Sequence, residues 1–93
     1  MMDNLEKELH PGRRQYLLGW LAGQLQDREL CPEVLWPGET AVLRVVNRRT
    51  RTTRFIACVP APQTRTWAWV WSGGWALVND PRAVPLIAEA MRS

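Results

Sequence analysis

Trp67, Trp69 and Trp71 occupy alternate positions in the run Thr66-Trp-Ala-Trp-Val-Trp71. A strand points successive side chains to opposite faces, so this spacing sets three indoles side by side on one face. A helix would scatter them around its axis. A single strand cannot satisfy its own backbone, so the run requires a sheet, and the flanking sequence supplies one. Thr40–Val46 and Thr52–Val59 are rich in β-branched residues and bounded by Pro37-Gly38 and the polar bend 47–51. In the second, Phe55, Ala57 and Val59 share one face, and Arg54, Ile56 and Cys58 the other. Ser72-Gly73-Gly74 turns the Trp strand into a short fourth strand, Trp75–Val78.

Helical periodicity appears only outside this block. Leu17, Leu18, Leu21 and Leu25 line one face of a helix predicted over Arg13–Glu29, and Tyr16 and Trp20 widen the stripe. Cys31-Pro32 is expected to close it, because proline disfavours helix in the preceding residue. Asp80-Pro81 resembles an N-cap with proline behind it, and Pro85 moves the regular helix to Val84–Arg92. Residues 1–10 are expected to form a loosely ordered turn or short helix anchored by Leu5 and Leu9 and broken at His10-Pro11-Gly12. Ninety-three residues suffice for one domain, 1–93, with one modest core. The fold class is α+β: helix, antiparallel sheet of three to four strands, helix, with both helices on one face.

Which face the helices take decides the functional reading. Ala68, Val70, Ala76 and Val78 are small and suit close helix packing. On that arrangement Trp67, Trp69 and Trp71, with Trp75, form an exposed surface for a protein partner or a second copy. The opposite arrangement puts the indoles in the core. A Trp-lined pocket for a small ligand is a further alternative.

Charge is unevenly spread. Residues 40–79 hold six arginines and no acid, whereas residues 1–39 carry a balance of −3. Arg44, Arg48, Arg49, Arg51 and Arg54 crowd the first hairpin. Guanidiniums pair with phosphates and stack on aromatic rings, so Arg beside Trp makes nucleic-acid binding the second functional reading. A solvated hairpin tip, whose charge discourages edge-to-edge aggregation, is the plain one.

Catalytic chemistry lacks its parts. His10 has no nucleophile motif around it, and neither Cys31 nor Cys58 is expected at a helix N-terminus that would lower a thiol pKa. The predicted sheet has no carboxylate, and Ser72-Gly73-Gly74 lacks the Lys and helix of a phosphate loop. Two distant cysteines and one His give no metal-ligand cluster, so no cofactor or metal is expected. The acidic opening residues do not read as a secretory signal, and no apolar run is long enough for a membrane helix. The expectation is a cytoplasmic, non-enzymatic chain with reduced thiols.

The stretch Thr66-Trp-Ala-Trp-Val-Trp-Ser-Gly-Gly-Trp-Ala-Leu-Val-Asn-Asp-Pro81, with Ile87-Ala-Glu-Ala-Met91 and Leu43-Arg-Val-Val-Asn47, resembles a loose class of small, uncharacterised actinobacterial proteins. Those carry a Trp-rich strand and a closing Ile-Ala helix and are often encoded near helix-turn-helix regulators. Eleven Arg against one Lys fits the GC-rich genome of such a source. The resemblance covers about residues 42–91 and implies an accessory or interaction role with no active site to carry over. The Arg-rich hairpin lies outside its pattern.

Overall fold

The computed structural model describes residues 11–93; the expected N-terminal turn, with Leu5, Leu9 and His10, lies outside the described residues. Helix α1 spans Pro11–Leu25. Leu17, Leu18, Leu21 and Leu25 are its buried stripe, as the periodicity requires. Tyr16 and Trp20 do not widen that stripe: they are 61% and 42% exposed. The helix stops before its expected end because Asp27 competes for the backbone. Its Oδ1 accepts the N–H groups of Glu29 and Leu30, both at 2.8 Å, and its own N–H donates to Leu30 O.

Five strands follow: β1 Leu30–Leu35, β2 Val42–Asn47, β3 Thr52–Ala61, β4 Thr66–Trp71 and β5 Gly74–Leu77. They form an antiparallel meander in the order β1-β2-β3-β4-β5. Strand β1 replaces the predicted helix stop, making five strands where three to four were expected. Pro32 is tolerated there by register. Arg48 N–H bonds to Glu29 O at 2.7 Å, so in antiparallel alternation residues 31, 33 and 35 face β2 and Pro32 turns outward. On this edge strand its missing N–H costs no ladder bond.

Helix α2, Ala83–Arg92, starts after a turn in which Asp80 Oδ1 accepts Arg82 N–H at 2.9 Å. Pro85 is its third residue, within the first turn, where N–H groups lack an intrahelical acceptor. Ala83, Ile87 and Met91 point into the core.

Both helices lie on one face of the sheet, α1 across β1 to β3 and α2 against β2 and α1. Beneath them Leu43, Val45, Ile56, Cys58, Trp67, Trp69 and Ala76 complete the core. The helices therefore cover the tryptophan face: of the two arrangements open from sequence, the one that puts the indoles in the core is observed. Register explains it. Trp69 pairs with Ala76 and Trp71 with Gly74, so small residues stand beside the indoles on the same face. A Cβ on Gly74 would meet the Trp71 ring at 2.9 Å, which shows how closely that ring lies on the backbone. Burying an indole removes about 150–250 Å² from water, far more than an alanine offers, so the helices cover the larger apolar area.

Candidate interaction surface

The four tryptophans assigned to a partner surface divide between the two sides of the sheet. Trp67 and Trp69 are buried, at 2% and 0% exposure, and Trp71 is partly buried against the same core. The interaction assignment fails for these three. Buried indoles also offer no stacking face to a base or a small ligand. Arg14 of α1 closes over Trp67, its guanidinium 5.1 Å from the ring, while its Nε donates to Cys58 O at 2.8 Å. Trp69 Nε1 is buried with no hydrogen-bond partner among the described residues. Cys58 lies opposite Trp69, and burial pushes its thiol up to about 12 against the smaller opposing pull of Arg14. It is a neutral packing group, not a nucleophile. Cys31 is on the other face, and both thiols are free.

Trp75 lies on the opposite side, 66% exposed. Its cross-strand partner Val70 is 39% exposed, and Val59 and Phe55 are 37% and 54% exposed on the same face. Leu35, Val42, Val46 and Leu77, half-buried, fill positions around them. Glu33 and Arg44 are the only charged residues that the register places there, and they form an ion pair across β1 and β2. Phe55 lies opposite Arg44 on β3. The outcome is a nearly neutral, apolar sheet face that carries neither of the described helices.

The hairpin arginines do not form one surface. Arg44 belongs to the open face. Arg54, on the helix side, donates to Ser93 O at 3.3 Å. Arg49 pairs with Glu29 at 2.7 Å and reaches Arg92 O at 3.5 Å, while Arg92 pairs with Asp27. Only Arg48 and Arg51, of the five, extend from the tip without a side-chain partner among the described residues. Arg51 holds a left-handed φ of 62°. Asn47, 1% exposed, organises the turn. Its Oδ1 accepts the N–H groups of Arg49 and Thr50, and its Nδ2 donates to Met91 O at 3.1 Å, fastening the hairpin to α2.

Asp27 is held below the ordinary carboxylate pKa by the Leu30 N–H, then by Arg92 and the Glu29 N–H. Asp80 is lowered likewise by the N–H and guanidinium of Arg82. Both serve turns. Among the described residues no three His, Cys, Asp or Glu side chains group closely enough to hold a metal ion. No described helix is long and apolar enough to cross a membrane.

Of the surface residues, only Trp75 was identified from sequence. Phe55 and Val59 were set on a common face, but their exposure follows only once both helices are placed on the other side. No family model, curated protein or solved structure matches the chain.

Proposed function

We propose that the chain is a non-enzymatic protein-interaction module that self-associates through the open face of its sheet. One observation carries the reading: five strands expose Phe55, Val59, Val70 and Trp75 on the side away from both helices. Five strands about 4.8 Å apart and six residues long at about 3.4 Å each present roughly 500 Å². It falls below the ~800 Å² each partner gives to a standard interface, which fits a weak, concentration-dependent complex.

A second copy suits the face better than a charged partner. The chain's net charge of +3 is carried elsewhere, and the one acid and one base on the face neutralise each other. Two copies stacked about 10 Å apart, as sheets pack, would bury the four exposed side chains without opposing like charges. An accessory role beside a larger partner in regulation fits such a module. Light scattering over a dilution series tests the reading: twice the chain mass at high micromolar concentration, falling toward the monomer on dilution, is expected. A monomer throughout would contradict it.

A further inference from the structure

Tyr16 and Trp20 stand one turn apart on α1, outside the core, and both line a pocket of about 400 Å³. With Arg13 and Leu17 they form its helix wall. The other wall is Thr66 at the start of β4 with Val78 and Asn79, which follow β5. The floor is apolar: Leu17 is 7% exposed, and Val78 packs against the core. The pocket therefore lies on the helix side of the sheet, away from the open face. Its volume is at the small end of the roughly 300–1,000 Å³ of ligand sites. A second depression, of about 520 Å³, is lined by α1 alone, between Gly12 and Trp20, and holds no charged side chain.

The polar groups of the first pocket are uncommitted. Neither the Tyr16 hydroxyl nor the Asn79 side-chain amide has a hydrogen-bond partner among the described residues. Arg13 has no carboxylate partner among them either; its guanidinium lies 5.1 Å from the centre of the Tyr16 ring. Arg14 is engaged by Cys58 O and the Trp67 ring and adds a second positive charge close by. No described acid lines the pocket, and Asp80, next to Asn79 in sequence, is paired with Arg82. The local potential is positive over an apolar floor.

We propose that this pocket binds a small aromatic carboxylate. The positive charge selects an anion, and the planar guanidinium of Arg13 matches the two oxygens of a carboxylate. The apolar floor and the Trp20 indole select a flat ring, which gains by packing against the indole. Spacing sets how charge and ring are joined. The Arg13 guanidinium sits at the level of Tyr16, and residues four apart on a helix lie about 5–6 Å from each other. A carboxylate one methylene away from its ring spans that distance between Tyr16 and Trp20. The Tyr16 hydroxyl and the Asn79 amide supply further hydrogen bonds at the lining. The site is on the opposite side of the sheet from the open face and does not depend on self-association.

The test is a titration of the full chain with phenylacetate, followed by amide and indole N–H shifts in NMR spectra. Saturable shifts are expected at Tyr16, Trp20, Val78 and Asn79, with a dissociation constant of about a millimolar or below, and none at Phe55 or Val70. Phenylacetamide keeps the shape without the charge and should bind at least about tenfold more weakly. Acetate keeps the charge without the ring and should do the same. Arg13→Gln, at an exposed helix position, should weaken phenylacetate about tenfold while the spectrum elsewhere stays that of the parent. Trp20→Ala should also weaken binding, and Trp20→Phe should restore part of it. No saturable shift up to about 20 mM phenylacetate would overturn the proposal. So would equal affinity for phenylacetate and phenylacetamide, shifts confined to the open face, or binding indifferent to Arg13→Gln.

Discussion

Asn47 carries more of the structure than any other polar side chain described. Asn47→Ala strands Met91 O and two turn N–H groups in or near the core, and each orphaned buried group costs about 1–3 kcal/mol. A loss of roughly 2–4 kcal/mol by urea denaturation is expected, against less than about 0.5 kcal/mol for Arg48→Gln at the exposed tip. Leu21 is fully buried, so Leu21→Ala should cost about 2–5 kcal/mol, a large share of a small domain's stability. Asp27 gives a pH signature. Its folded pKa lies below its unfolded value, so its contribution is present above the unfolded pKa and is lost as pH falls through the folded one. Stability should decline below about pH 4, and Asp27→Asn should flatten that decline in acid titrations followed by circular dichroism.

Sequence patterning was most informative where a single periodicity ran unopposed. Strand β4 has the predicted bounds, Thr66–Trp71, and the leucine stripe of α1 is buried as expected. It was least informative where local and tertiary effects compete. Pro32 reads as a helix stop until the partner strand β2 shows that its nitrogen faces outward. The choice of sheet face depended on hairpin register, since a one-residue shift moves Ala76 from beside Ala68 to beside Trp69. Tyr16 and Trp20 match a core stripe in spacing yet lie on the surface, outside the leucine stripe that packs on the sheet and with no described element covering them. The candidate surface was legible only through Trp75. Its other members needed the helices to be placed first. One consequence is testable by thiol labelling under native conditions. Cys31, partly exposed on the edge strand, should react with iodoacetamide well before Cys58, whose thiol is buried and held neutral.

At the scale of the whole molecule, one layer of helices lies over a five-stranded sheet, no described residue covers the sheet's second face, and the apolar side chains there are the reason to expect a second copy. Val70 lies near the centre of that face, paired with Ala57 and Trp75 and pointing away from the core. Val70→Glu buries nothing polar in the monomer but would set two unpaired carboxylates against each other in a face-to-face dimer, at a cost of several kcal/mol. Light scattering on this variant at a concentration where the parent chain measures as a dimer is the most direct test. The chain mass of a monomer, with the parent's circular dichroism, is the predicted result. A folded Val70→Glu protein that keeps the parent's dimeric mass would contradict the open face as the interface.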